Sequence, residues 1–419
     1  MYKLKPLLVI GFAYQLAAQQ FTISSFVQTI DDCLRFGELI DYTYNLDITA
    51  SLQKPYGNQY ELVQCDFAGI CPDSILKTTC VWQRYLSVDC SGSTNSPRIK
   101  IFSNSLPNHC YFAQTSYPIG SSSSYNAYGF DVAFNQMIGS MAIASQYGED
   151  ETVYKTNLRT ETDLNSQLCS DSWSKASEVD SAAGYNEFIW DTNADQATGQ
   201  WITEANAPNY PLLRMPNSNR IVGIALNGVF FFTGTSEQGY DAFFPKNYNL
   251  GGKVDKVAVD QCLGSAQSHN TYRYHMYSPC IYTGISLRDF PASCSLIASC
   301  DEDVTVYATK NTPVERRTIT PIGLAKDGRV IYGPFKMNGD LWQPCDVDVC
   351  NGRLFGTSYG YVTTMFHPYT ISCFGPGNKL YHAKVGCSQR PRECTNAVSL
   401  FSSFVISFGF IMGALALIF

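Results

Sequence analysis

The chain is short of charge. Asp, Glu, Lys and Arg make up 16% of its 419 residues, against the usual quarter, and the net charge of -7 comes with no basic stripe. A surface without such a stripe offers nothing to a phosphate backbone, so nucleic acid is excluded as the expected partner. No two cysteines stand in C-x2-C spacing, which argues against a zinc ribbon or related cluster. There is no Asn-x-Ser/Thr sequon, so ordinary N-glycosylation is not expected. P-loop and dinucleotide fingerprints are also missing, since Gly251-Gly252 lacks the remaining glycines. Gly356 to Gly360 spells G-x-S-x-G, but no Asp or Glu separates Ser358 from His367 or His382. A nucleophile elbow needs its acid between serine and histidine, so the match is read as a turn.

Two things are plentiful: cysteine, at 16, and aromatic residues, at 14%. An even cysteine count suits eight bridges in an oxidising compartment. A nucleophilic cysteine is correspondingly not expected there. Short loops such as Cys65 to Cys71 and Cys345 to Cys350 are natural pairings. The ends fit the same itinerary. Lys3 and Lys5 precede an apolar run from Leu7 to Leu16 and then Ala17 and Ala18, the pattern of a signal peptide over residues 1–18. The run is too short to span a bilayer. At the other end Thr395, Asn396 and Ala397 lead into an apolar tail, 397–419, with no charge beyond it. That arrangement suits a glycosylphosphatidylinositol anchor; a permanent tail helix is the rival. The expectation is a protein routed through the secretory pathway to the outer face of the plasma membrane. Its partners there are the membrane, through lipid anchor or tail helix, and an extracellular ligand.

Between the ends, Phe26, Ile30, Cys33 and Leu34 recur at helical spacing, with Ser24 or Ser25 as cap and Gly37 as stop. Most of the rest is short Tyr-, Phe-, Val- and Ile-rich runs broken by Gly, Pro, Asn and Ser, the pattern of strands. Ser121 to Ser124 reads as an exposed loop, and 146–200 as a polar excursion with some helix. Residues 220–234 and 320–334 echo each other, with Gly223 on Gly323, Ala225 on Ala325, Asn227 on Asp327 and Gly228 on Gly328. Each is a hairpin signal, because Asn-Gly and Asp-Gly accept the positive φ of a type I′ turn. Independent hairpins and a duplicated unit both explain the echo. The fold class expected is mainly β with minor α (α+β), disulfide-rich and extracellular, with repeated β-hairpins.

Five blocks in order give the chain a family likeness. They are RIKIFSNSLPNHCYF (98–112), IVGIALNGVFFF, VDQCLGSAQSHNTYRYHMYSPCI (259–281), IGLAKDGRVIYGP and the closing block at 349–377. Together they resemble the YHYH-domain family, named for a Tyr-His-Tyr-His motif. The likeness implies a YHYH domain over 97–380, preceded by a cysteine-containing segment at 19–96 and followed by a stalk at 381–396. Two departures from the family pattern matter. Ser265 stands where the family has a histidine after Asp260, Cys262 and Gly264, and Arg273 replaces the first motif histidine while Tyr272, Tyr274 and His275 remain. The family supplies no established reaction.

On a strand, residues 273 and 275 face the same way, about 7 Å apart. Two histidines so placed clamp a transition metal; Arg273 breaks that clamp, because a guanidinium neither ligates nor tolerates a cation beside it. Three readings stay open. His109, His269 and His275, completed by Asp260 or Asp327, converge on a metal; Arg273 and His275 bind an anionic ligand; or the motif packs, with Tyr272, Tyr274 and Met276 in the core and Arg273 at the rim. Cys262 with Cys280, and Cys350 with Cys373, are expected to staple the motif and the closing block. The leading function is non-catalytic surface recognition, coat or adhesion, and the competing one is a metal-dependent enzyme.

Overall fold

In a computed structural model the described residues are 29–40, 61–66, 69–70, 76–84, 86–111, 128–136, 221–236, 240–246, 255–267, 271–282, 292–348, 350–355, 358–372, 374, 387–390 and 392–394. The expected signal segment, the apolar tail, Ser121 to Ser124, the stretch 146–200, His269, Cys71 and Cys373 lie outside them. The protein is mainly β with few helices. Among the described residues no helix is long and apolar enough to cross a membrane.

The chain enters through α1 (Ile30–Glu38). Its cap is Thr29 rather than a serine: the Thr29 side chain accepts from Asp32 N while the Asp32 carboxylate accepts from Thr29 N, a reciprocal capping box. Cys33 and Phe36 are buried on one face, and the Cys33–Cys90 bridge ties the helix to the strands that follow.

Those strands form small sheets. β1 (Glu61–Cys65) pairs with β4 (Cys80–Arg84), and β2 (Gly69–Ile70) with β3 (Leu76–Lys77). β5 (Leu86–Ser93), β6 (Ser96–Ser103) and β7 (Tyr128–Ala133) make a three-stranded antiparallel sheet. The expected boundary at 96/97 passes through the β5–β6 hairpin.

The centre is an eight-stranded sheet built from β8 (Ile221–Ala225), β9 (Phe230–Phe232), β10 (Gly264–Gln267), β11 (Thr271–Tyr274), β12 (Pro321–Ala325), β13 (Val330–Tyr332), β14 (Gly352–Phe355) and β15 (Ser358–Val362). Its order is β10-β11-β9-β8-β12-β13-β15-β14. Outward from the central β8–β12 pair, each side runs through an antiparallel partner, a parallel neighbour and an antiparallel edge strand. All five residues of both central strands are buried, which explains why they read as unbroken apolar runs rather than as alternation. The two strands approach closely: a Cβ on Gly223 would lie 2.6 Å from the Leu324 carbonyl oxygen. The turns are not the expected type I′, which needs positive φ at both members of the pair. Of each pair only the glycine, Gly228 or Gly328, has it, at φ 83°, while Asn227 and Asp327 do not. Each glycine N–H closes a turn onto the Ala225 or Ala325 carbonyl, in a conformation that favours glycine.

Residues at the ends of β6 and β7 hold these turns from outside the sheet. Ser103 Oγ donates to the Gly228 carbonyl and Ser105 Oγ accepts from Phe230 N. Correspondingly, Gln136 Nε2 donates to the Gly328 carbonyl and its Oε1 accepts from Val330 N. Between the two halves lie α2 (Ala298–Glu302) and α3 (Val304–Lys310). Asp303 caps α3 through Thr305 N and Val306 N, and the Cys294–Cys300 bridge closes the preceding turn.

Five bridges join described cysteines. Cys262–Cys280 forms as expected. Cys65 and Cys345 do not pair with their near neighbours: they bond to Cys110 and Cys394. Cys65 ends β1 opposite Cys80 of β4, and its bridge ties it to the segment that follows β6. Cys350 is bridged, but its partner lies outside the described residues, as does Cys373.

Candidate functional site

The motif occupies β11 and the turn after it. Alternation along β11 sends Tyr272 and Tyr274 to one side, with ring centroids 5.8 Å apart, and the His109 ring lies 5.7 Å from Tyr272. Arg273 and His275 go to the other side. The Arg273 guanidinium lies 4.7 Å over the Phe232 ring, and the His275 imidazole is 6.2 Å from the same ring. Residues 273 and 275 therefore share a face. Arg273 is not at the rim, however; it and His275 have no solvent exposure. The parallel neighbour β9 is an all-buried Phe-Phe-Phe strand, and its last ring supplies a flat apolar surface on which a guanidinium can stack. An anion arriving from solvent therefore meets no surface at Arg273 or His275.

The other expected ligands are dispersed and engaged. Asp260 Oδ1 accepts from Cys262 N and Gly264 N, and its Oδ2 accepts from Tyr272 OH at 2.9 Å. That carboxylate shapes the corner before β10. Burial, reinforced by Asp260, pushes the Tyr272 phenol well above its ordinary value, so it stays a donor. Asp327 accepts from Arg329 Nη1 and from Tyr361 OH, each at 2.7 Å. His275 Nδ1 is 2.7 Å from the Thr233 carbonyl and so must carry the hydrogen. His109 Nδ1 likewise donates to the Cys110 carbonyl at 2.9 Å, leaving Nε2 to accept from Tyr274 OH at 3.1 Å. Asn227 Nδ2 donates in turn to the Tyr274 oxygen. His109, His275, Asp260 and Asp327 do not meet at a point; among the described residues the group whose ligand atoms all lie within 4.8 Å is His109 with Cys262 and Cys280.

The Asp260 corner has a counterpart that sequence reading missed. Asp348 Oδ1 accepts from Cys350 N and Gly352 N, and its Oδ2 from Tyr359 OH at 2.6 Å. The signal was present, since Asp260-x-Cys262-x-Gly264 and Asp348-x-Cys350-x-Gly352 are spelled alike. Ser358, of the apparent serine motif, opens β15 opposite Phe355 in an antiparallel pair, so it occupies no strand-to-helix elbow.

A second polar cluster also went unread. Asp241 accepts from Phe243 N, Phe244 N, Tyr369 OH and Ser388 Oγ, and buried His367 lies 3.9 Å from it. Burial pushes the His367 imidazole below its ordinary value; Asp241 opposes this and Arg392 adds to it. The unfolded chain thus takes up this proton more readily than the fold. Stability contributed here is present above the ordinary imidazole value, about 6.5, and is lost as pH falls below it. Between pH 7 and pH 5 the loss is expected to reach at most about 2 kcal/mol. Urea midpoints at the two pH values measure it, and His367→Asn should flatten the difference.

A cavity of 460 Å³ lies elsewhere, lined by Phe243, Phe244, Val257, Val259 and Val304, with the Lys256–Asp301 ion pair at its rim. The motif residues do not line it. Compared with known families, curated proteins and solved structures, the chain matches no family model, no curated protein and no solved structure.

Proposed function

We propose that this is a cell-surface protein with a non-catalytic recognition, coat or adhesion role, built on a diverged YHYH-like domain and held at the outer face of the plasma membrane by a lipid anchor. The observation that carries the reading is how the polar motif residues are used. Asp260, Asp327, His109 and His275 are buried and hydrogen-bonded within the chain, as architectural side chains are. Five bridges among the described residues suit a protein matured in an oxidising compartment.

We also read the repeated hairpins as two copies of one unit. The order of strands is the same from either edge of the sheet. Asp260 and Tyr272 correspond to Asp348 and Tyr359, and Tyr274 with Asn227 to Tyr361 with Asp327. The parallel registers agree as well: Tyr274 faces Phe231, and Tyr361 faces Ile331. A duplicated scaffold with its polar groups turned inward leaves recognition to its outer surface.

Release from intact cells by a phosphatidylinositol-specific phospholipase tests the anchor. Retention, with a control anchored protein released in the same sample, would favour a tail helix. The competing reading, a metal-dependent enzyme, keeps one observation in its favour, the His109 cluster. Elemental analysis of oxidised protein purified without chelator separates the two: a stoichiometric transition metal lost on His109→Ala would support the enzyme.

A further inference from the structure

We propose that Cys262, Cys280 and His109 form a zinc site in the dithiol state of the protein, so that the bridge and the ion are alternative occupants of one buried corner. The three ligand atoms lie within 4.8 Å of one another, and all three residues are buried. Two thiolates and one imidazole are a zinc-type donor set, with a fourth position left open.

The imidazole is already oriented for the task. Its Nδ1 hydrogen is fixed on the Cys110 carbonyl, and Cys110 is anchored by its bridge to Cys65. A ligating histidine is usually held in this way, with one nitrogen on a carbonyl and the lone pair on the other. That lone pair now accepts from Tyr274 OH, the group an ion would displace.

The two cysteines are held together by more than their sulfurs. Ser278 Oγ donates to the Cys262 carbonyl and accepts from Cys280 N, while Cys262 N is bound to Asp260 Oδ1. Their Cα atoms, 5.5 Å apart, therefore stay close when the sulfurs separate. The corner at Asp348 offers no such trio among the described residues.

The chemistry balances with a phosphine as reductant. The phosphine gives two electrons to the S–S bond and leaves as its oxide, taking an oxygen from water, and two thiols form. Zinc then displaces both thiol protons to solvent as the two Zn–S bonds form.

The test uses the full chain, reduced with a phosphine, with and without zinc ion, then alkylated and mapped by peptide mass spectrometry. Zinc is expected to slow alkylation of Cys262 and Cys280 by on the order of tenfold or more. His109→Gln should abolish that protection at these two positions and leave the other cysteines unchanged. Tyr274→Phe should keep or strengthen it, because the competing hydroxyl is gone. Equal alkylation of Cys262 and Cys280 with and without zinc overturns the proposal whatever the variants do. Protection that survives His109→Gln overturns the histidine's part in it.

Discussion

Asp327→Asn is expected to lower the unfolding free energy by about 3–5 kcal/mol, because it strands a buried cation. Arg329 and Asp327 have side chains 1% and 0% exposed and are joined at 2.7 Å. Burial pulls the guanidinium down, but Asp327, with Tyr361 and Tyr359, more than offsets it, and the group is held charged. The other half of the sheet carries neutral side chains here: Asn227 and Val229 stand where Asp327 and Arg329 do. Asn227 Nδ2 donates to Tyr274, and the buried Arg84 guanidinium donates to the Asn227 backbone carbonyl. Asp327→Asn with Arg329→Val should therefore recover most of the loss, since buried ion pairs exchange for apolar residues at little net cost. Urea unfolding of the single and double variants reads both effects. A single variant within about 1 kcal/mol of the parent, or a double variant worse than the single, would refute the equivalence of the two positions.

Asp260→Ala carries the next largest effect. The carboxylate collects Cys262 N, Gly264 N and Tyr272 OH in one buried corner, so its loss leaves three donors unmet and should cost about 3–5 kcal/mol. Tyr272→Phe, which leaves both backbone bonds in place, should cost only about 1–2 kcal/mol. Asp348→Ala should behave as Asp260→Ala does, because its three partners are the same in kind. Denaturant midpoints give the comparison. A large effect at one aspartate and none at the other would break the proposed correspondence.

How much could be read beforehand differs residue by residue. The mainly β class was legible because Ile221–Ala225 and Pro321–Ala325 are short apolar runs punctuated by Asn-Gly and Asp-Gly. The cap of α1 was misplaced because Thr29 works through Asp32, and several nearby hydroxyl residues read equally well. The second Asp-x-Cys-x-Gly corner was spelled out but separated from its hairpin by a spacer of different length, so alignment of the hairpins did not reach it. The packing reading alone puts Arg273 at the rim, and burying a charge is costly; the Phe232 ring that receives the guanidinium comes from another strand.

By itself, the sequence determined strand-rich local structure, the positive φ of Gly228 and Gly328 though not the turn type, and the face shared by Arg273 and His275. Those depend on backbone sterics and the two-residue period of a strand, which are properties of neighbours along the chain. The tertiary structure alone decided that Cys65 bonds Cys110, that Asp260 is spent on Tyr272, and that His109 reaches the Cys262–Cys280 corner. Each of these joins residues far apart in the chain or across a strand pair. What brings them together is the packing of distant segments onto the central sheet: its unbroken apolar runs announce burial on both faces but not which segments provide the cover.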